Sequence, residues 1–550
     1  MDQLLTPQPV KNIDELPRAL HYIADQLSQK RNLKPAEMRT IVLDAGVQLQ
    51  DIEAWADFDH PIEDSYGRKL VFKGDHFEIM VMSWCPGDFS SIHDHGHTQW
   101  GCVQVFGPAE HATFRYNEDQ ITTLARWTMH SGEAIGVHHN LVHQMGNSSD
   151  QNFLSLHVYG LAENINNVTD DARVFDLEKK EIHRIDGGVF FALPSNEINL
   201  IEEGPEPDFP TRLRYMTELV KRLKKMEDNG IQSPNRTLKE SKEQFVDANS
   251  INKLIEDLKN TIDEAGHHTN SIFWRILNWE LKEAAILQKE LTSEDDTADS
   301  FHKYAEMYDS IICQPCMDNF MKGYLKFFVK EKNINLSEKD IISVGCGTGK
   351  VEAFMIEELG ANRQKLFGMD ISPAMVNEAK RRINADVGDV LTLDPDVKLW
   401  DIAYSGLNVF HYINHKLLKE SIEKTAAIVK RGGYFIGDFI TPDHIRWYPN
   451  VLISNDQKTI SLRTPELIEE NGSVFQRSEI INITNQEGEM VINYAGKHKR
   501  FLPPMVRMRY YFKKAFGGSV ELYDAHSLEV VPEWADSCQS TRYIIIAQKS

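Results

Sequence analysis

Gly87-Asp88-Phe89-Ser90-Ser91-Ile92-His93-Asp94-His95 puts two imidazoles two residues apart on a predicted strand, so both project to one face and can meet one metal ion. The surroundings are β-rich. KLVFK (69–73), FEIMVMSW (77–84), CVQVF (102–106), HATFRY (111–116) and FLSLHVYG (153–160) are short runs parted by Gly, Pro, Asp and Asn. Such a series, from about Tyr66 to Tyr159, predicts a sandwich or barrel. A third histidine must come from a later strand or turn. His143, in His143-Gln144-Met145-Gly146-Asn147, is the candidate, and His138 and His139 compete with it. Three neutral imidazoles would leave a divalent ion its full charge and free positions opposite them; iron and zinc both suit such a set.

On the amino-terminal side of this region the chain reads as helical, with LPRALHYIADQLSQK (16–30) as an amphipathic helix. On the other side, GGVFFALP (187–194) is expected to close the β-rich unit, and EEGPEPDFP (202–210) marks a boundary. Helical patterns then dominate to about residue 300, notably TRLRYMTELVKRLKKMED (211–228) and SIFWRILNWELKEAAILQKELT (271–292). The expected division is therefore 1–205, a helical connector or cap at 206–300, and 301–550. A chain of 550 residues is too long for one core.

The charge is acidic, with 60 Lys and Arg against 82 Asp and Glu. A net −22 repels phosphate backbones and anionic lipid, so nucleic acid and membrane surfaces are not expected as partners. No stretch reads as a signal peptide or a spanning helix. The six cysteines are too sparse for a disulfide framework, which fits a reducing cytoplasm, and Cys313-Gln-Pro-Cys316 reads as ordinary thiols. Oligomeric state is left open.

From residue 301 strands and helices alternate. IISVGCGTG (341–349), KLFGMDIS (365–372), VKLWDIAYSGLNVF (397–410) and GGYFIGDFI (432–440) are the strand-like runs, predicting a mostly parallel α/β sheet. Gly345, Gly347 and Gly349 permit a tight turn and close backbone approach to a ligand. Asp370 ends the next strand, where a carboxylate can take both hydroxyls of a ribose. A dinucleotide would fit those features equally well.

Taken together, YGRKLV (66–71), SSIHDHG (90–96) and SLHVY (155–159) resemble, in the same order, the cysteine dioxygenase group of cupin thiol dioxygenases over roughly residues 60–165. The resemblance implies Fe(II) held by His93, His95 and His143, and Arg68 gripping a substrate carboxylate. It also implies a hydrogen-bonded chain of Ser155, His157 and Tyr159, with the tyrosine hydroxyl pointing at the substrate. Many cupins carry a carboxylate four or five residues after the His-x-His pair, where this chain has Gln99 and Trp100. Mammalian members cross-link a nearby cysteine to the tyrosine; here the segment is one residue longer, and Trp100, Gly101 and Cys102 are alternatives for the residue facing the site. His97, His138, His139 and Trp100 imply a wider, more aromatic entrance suited to a larger thiol.

The second half, with Gly388-Asp389 ahead of the fourth strand WDIAYSGLNVFHYI, resembles the class I methyltransferases over about residues 300–440. That resemblance implies S-adenosylmethionine against the glycine loop, its ribose on Asp370 and its adenine on Asp389. Tyr304 and Tyr308, in FHKYAEMYD (301–309), would close over it. His411 and Tyr412 are candidates to orient or deprotonate the acceptor, and FKKAFG with RYIIIAQ would end the sheet. The expectation is a multidomain protein: an all-β cupin barrel with a helical amino-terminal segment, a helical connector, and a Rossmann-like α/β methyltransferase. It would convert a small thiol, cysteine or a derivative, with dioxygen to a sulfinate and methylate a small sulfur-containing, amino-acid-derived metabolite. Oxidative C–S bond formation or cleavage, or one domain acting only as a binding module, are the alternatives.

Overall fold

The computed structural model describes residues 9–163, 167–191, 193–245, 249–265, 272–292, 301, 305–448, 450–454 and 456–550. The chain divides into two compact units: Met1–Ser250 with Asn270–Leu287, and Ile251–Thr269 with Gln288–Ser550. No helix among the described residues is long and apolar enough to cross a membrane.

In the first unit, helix Arg18–Ser28 buries Leu20, Ile23, Ala24 and Leu27, the one-sided spacing of an amphipathic helix. Helix Pro35–Ala45 starts on a proline and stops at Gly46, whose φ of 64° suits glycine. The strands that follow are β1 (Gly67–Lys73), β2 (Phe77–Trp84), β3 (Trp100–Val105), β4 (Ala109–Tyr116), β5 (Gln120–Met129), β6 (Ala134–Val137), β7 (Val142–Gly146), β8 (Phe153–Gly160), β9 (Ala172–Asp176), β10 (Glu181–Ile185), β11 (Ile198–Glu203) and β12 (Glu206–Pro207). They form sheets ordered β1-β2-β8-β3-β6, β12-β5-β4-β7 and β11-β10-β9. The all-β fold with a helical amino-terminal segment is as expected.

Strand alternation explains the layering. On β2, Phe77, Ile79 and Val81 pack beneath the two helices, while Met80, Met82 and Trp84 face the barrel interior with residues of β3, β7 and β9. On β8, Leu154, Leu156 and Val158 face the helices. The intervening Ser155, His157 and Tyr159 are thereby turned inward, to where the site lies. The described residues of GGVFFALP, 187–191 and 193–194, are not in a strand, and Val189 N–H donates to the Tyr66 hydroxyl at 3.2 Å.

Helix Phe209–Asp228, capped by the Asp208 carboxylate accepting from Thr211 N, belongs to this unit. It is fixed by a buried charge network. Glu110 on β4 forms ion pairs with Arg126 on β5 at 2.6 Å and with Arg214 of the helix at 2.7 Å, and Glu280 also pairs with Arg126. All four side chains are buried.

The second unit contains β13 (Ile341–Val344), β14 (Leu366–Asp370), β15 (Asn384–Val387), β16 (Trp400–Ser405), β17 (Val429–Ile440), β18 (Val451–Ile453), β19 (Thr459–Glu470), β20 (Ser473–Gln486), β21 (Glu489–Phe501), β22 (Gly517–Asp524) and β23 (Arg542–Lys549). The main sheet is ordered β15-β14-β13-β16-β17-β23-β22, parallel from β15 to β17 and antiparallel at β23 and β22. This is the Rossmann-like sheet expected, with its reversal of strand order between β13 and β16.

Two local expectations are corrected. The fourth strand stops at Ser405, and Val409–Tyr412 is a short helix. FKKAF ends a helix, Met505–Phe516, rather than a strand; β22 starts at Gly517, whose φ is 74°. A further antiparallel sheet, β18-β19-β20-β21, is inserted between β17 and that helix.

Candidate metal centre and cofactor pocket

His93 lies on an isolated bridge rather than in a regular strand. Its N–H donates to His143 O at 3.0 Å, and His143 N–H donates back to His93 O at 2.9 Å, so β7 carries the third imidazole to the first. The ligand-capable nitrogens of His93, His95 and His143 all lie within 4.8 Å of one another, and all three rings are buried. The competitors His138 and His139 are partly exposed and do not line the cavity. The Asp94 carboxylate is engaged by Arg173, accepting from its Nε at 2.5 Å. Gln99 accepts from Ala162 N and the Trp100 indole donates to Arg31 O, so no carboxylate substitutes at those positions.

The donor chemistry fits a divalent metal. His93 Nδ1 donates to Ser91 O at 2.8 Å, leaving Nε2 as a lone pair directed at His143 Nε2, 3.1 Å away. His95 Nε2 is buried without a hydrogen-bond partner among the described residues. Facing lone pairs and an orphaned buried nitrogen are costly unless a cation joins them. Burial pushes His93 down to about 4 and holds His95 and His143 well below the usual imidazole range, so the rings stay neutral as ligation requires. The three-histidine set fits Fe(II).

Sequence reasoning missed His111. It sits on β4 with Nε2 2.7 Å from His143 Nδ1 and its ring edge-on to Trp127. Burial pushes it down to about 3, so it stays neutral and accepts the His143 Nδ1 proton, fixing that ring for ligation through Nε2. Its only sequence signal was a histidine at a buried position of HATFRY. His111→Phe is expected to lower iron affinity about 10- to 100-fold, measured by competition with a chelator, with the fold retained by circular dichroism.

The three histidines open on a cavity of about 50 Å³ lined also by Tyr66, Arg68, His157, Tyr159 and Thr169. Trp84 Nε1–H donates to Ser155 Oγ at 2.8 Å; Ser155 Oγ lies 2.7 Å from His157 Nε2, and His157 Nδ1 lies 2.7 Å from the Tyr159 hydroxyl. With the indole donating to Ser155, the buried serine proton is paired by assigning it to His157 Nε2, which gives the Nδ1 proton to the tyrosine oxygen. The Tyr159 proton is then left to donate into the cavity. Burial pushes its phenol up, so it remains a proton donor. Arg68 reaches the same cavity, with Nη2 donating to Thr169 Oγ1 at 3.2 Å.

The three alternatives beside Tyr159 resolve to Gly101, its partner across β3 and β8; a Cβ there would meet the tyrosine ring at 2.8 Å. Cys102 and Trp100 face the amino-terminal helices instead. His97, Trp100, His138 and His139 do not line the cavity, which corrects the expectation of a wide aromatic entrance.

In the second unit a cavity of about 350 Å³ lies over the carboxyl ends of β13, β14 and β16. Gly345, Gly347, Asp370, Asp389 and Tyr308 line it. Gly345, Gly347 and Gly349 have φ values of 74°, 54° and 73°, and among the described residues only Tyr308 comes within 4 Å of where a Cβ above Gly347 would stand. That cradle fits a ligand lying against the loop. The Asp370 carboxylate is held by Gly347 N–H and Ser372 N–H, both at 2.9 Å. These residues fit S-adenosylmethionine. Asp370→Ala is expected to weaken its binding about 10- to 100-fold by calorimetry. Tyr304 lies outside the described residues. His411 is not brought to the cavity: Nδ1 donates to Phe501 O at 2.6 Å and Nε2 accepts from Ile440 N–H at 3.1 Å, so neither nitrogen is available as a base. Its neighbour Tyr412 does line the cavity.

A sequence-family profile described as Cysteine dioxygenase type I matches residues 19–164, and one described as Methyltransferase domain matches residues 341–433. Among solved structures, the chain is similar to an S-adenosylmethionine-dependent methyltransferase from Clostridium acetobutylicum, at 16% identity over 46% of this chain and 99% of that one, with a TM-score of 0.37. It is similar also to the CcbJ methyltransferase from Streptomyces caelestis, at 12% identity over 41% of this chain and 88% of that one, with a TM-score of 0.33.

Proposed function

We propose, for a chain that joins a cysteine dioxygenase-like cupin domain to a class I S-adenosylmethionine-dependent methyltransferase domain, that the first domain oxidises a small amino-acid thiol and the second methylates a related metabolite. The observation that carries this reading is the convergence of His93, His95, His143, Arg68 and the Tyr159 hydroxyl on one small cavity. Its size favours cysteine or a close derivative. The overall change is R–SH plus O₂ giving R–SO₂H, with no further reductant. Fe(II) on the three histidines would supply the site where thiolate and dioxygen are brought together.

The chain's own residues supply placement. Arg68 would bind the carboxylate through its planar fork. Tyr159 would donate its proton toward the reacting sulfur or oxygen, with His157, Ser155 and Trp84 holding its direction. Tyr159→Phe is accordingly expected to slow sulfinate formation about 100-fold or more without changing iron content.

In the second domain, Asp370 and Asp389 would hold the ribose and adenine, so that the methyl group meets an acceptor in line. Methylation of the thiol itself would remove the anion the first site binds. Methylation therefore follows oxidation or falls on another atom. All six cysteines are free thiols, which supports a reducing, cytoplasmic setting.

The test is mass spectrometry of products after anaerobic loading with Fe(II) and exposure to dioxygen and a panel of thiols including cysteine, with and without S-adenosylmethionine. Two added oxygens on one thiol are expected, with a further methyl when the donor is present. Absence of thiol-dependent oxygen uptake by the iron-loaded chain would overturn the first assignment.

A further inference from the structure

The inserted sheet carries a basic cluster that the cofactor pocket does not use. Cross-strand partners share a face, and residues two apart on a strand share it too. Ser478 is opposite both Pro465 and His498, Gln476 is opposite both Leu467 and Arg500, and Arg463 is opposite Ile480. Arg463, Gln476, Ser478, His498 and Arg500 thus lie on one face. Arg463, Gln476, Ser478 and His498 are buried, and Arg500 is half-buried.

Tyr448 and Tyr412 meet this face. Arg463 Nη1 donates to the Tyr448 hydroxyl at 3.1 Å, and Arg500 Nη2 donates to Tyr412 at 2.6 Å and to Tyr448 at 3.4 Å. The Arg500 guanidinium lies 4.9 Å from the Tyr412 ring centre and 5.4 Å from that of Tyr448. Burial alone would push the Tyr448 phenol up, yet the two arginines bring it down to about 8, the mark of a strongly positive environment. Each phenol accepts from an arginine and keeps its own proton to give, so the cluster offers an incoming anion donors on several sides.

The cluster adjoins the cofactor pocket. Tyr412 and Phe301 both line that pocket, and the Phe301 ring lies 6.1 Å from Tyr412 and 5.3 Å from His498. We propose that Arg463 and Arg500, with Tyr412 and Tyr448, bind the carboxylate of the molecule that the second domain methylates. This rests on the methyltransferase reading of that domain and adds the class of acceptor: an amino-acid-like anion rather than a neutral sugar or a simple amine. Two guanidinium forks suit a carboxylate, and partial burial strengthens the pairing.

Saturation-transfer NMR on the full chain with S-adenosylhomocysteine tests this, using matched pairs of acid and decarboxylated amine: L-cysteine with cysteamine, L-histidine with histamine, and L-alanine with ethylamine. Acid members are expected to bind and their amines not. Arg500→Met is expected to weaken acid binding at least about thirtyfold, and Arg500→Lys less. The acid-versus-amine contrast is read in a full chain carrying Arg68→Met, which removes the carboxylate grip proposed for the first site and leaves the second domain unaltered. Binding of neither member, equal binding of both, or binding that survives Arg500→Met in a folded chain would overturn the proposal. Calorimetry with S-adenosylmethionine is read separately; its failure would strike the methyltransferase reading, not the carboxylate site.

Discussion

The His93→Ala chain is expected to purify without stoichiometric iron and to consume no oxygen with cysteine. His93 is the hinge of the centre in two respects. Its backbone pairs with that of His143 in both directions, and its ring nitrogen faces the ring nitrogen of His143 at 3.1 Å. Alanine keeps the backbone pairing and removes the nitrogen, so the fold should survive while two donors remain. Loss of iron affinity should exceed the roughly 10- to 100-fold effect of disturbing a residue behind a ligand, as at His111. Metal analysis after dialysis, oxygen-electrode traces and circular dichroism together check this. A folded variant that retains iron and still forms sulfinate would remove His93 from the metal set.

Glu110→Ala is expected to cost about 3–5 kcal/mol of stability in the first unit, because it leaves Arg126 and Arg214 buried without their shared carboxylate. In thermal unfolding this corresponds to a drop on the order of 10 °C in the transition of that unit. The dependence on pH has a definite sign. Burial alone would raise the Glu110 carboxyl, but Arg214 and Arg126 outweigh it and hold it at about 2, against an ordinary 4.5. A depressed carboxyl contributes stability that is complete above its unfolded value and is lost as pH falls through the folded one. The gap between the unaltered chain and Glu110→Ala should therefore be full above about pH 4.5 and shrink toward pH 2. A gap that is flat across this window would show that Glu110 does not act through its charge.

Much of the first site was legible because its residues obey a short period. Ser155, His157 and Tyr159 alternate on one strand, so their side-chain direction follows from spacing alone, and His93 and His95, two apart, meet as expected although His93 lies on an isolated bridge. Cys102 shows where that logic needs the register. The insertion after His95 leaves three alternatives beside Tyr159, and only the pairing of β3 with β8 selects Gly101. His111 was invisible for a related reason: it contacts His143 across β4 and β7, and sequence does not state which strands pair.

In the second unit the glycine turn and Asp370 were readable because a tight turn and a strand end have local requirements. The inserted sheet was not read. Its strands mix charged and apolar residues without clean alternation, since parts of both faces are covered. His411 was placed correctly in sequence and given a role its surroundings do not support, because both ring nitrogens hold backbone groups of distant segments.

Gly101 beside Tyr159 gives the first site a uniform character over time. A hydrogen atom where a sulfur could have stood leaves the phenol without a thiol partner at that position, so no thioether to Tyr159 forms there through age or past turnover. A population of these molecules should have one mobility on a denaturing gel and one rate from the first cycle, with no maturation phase.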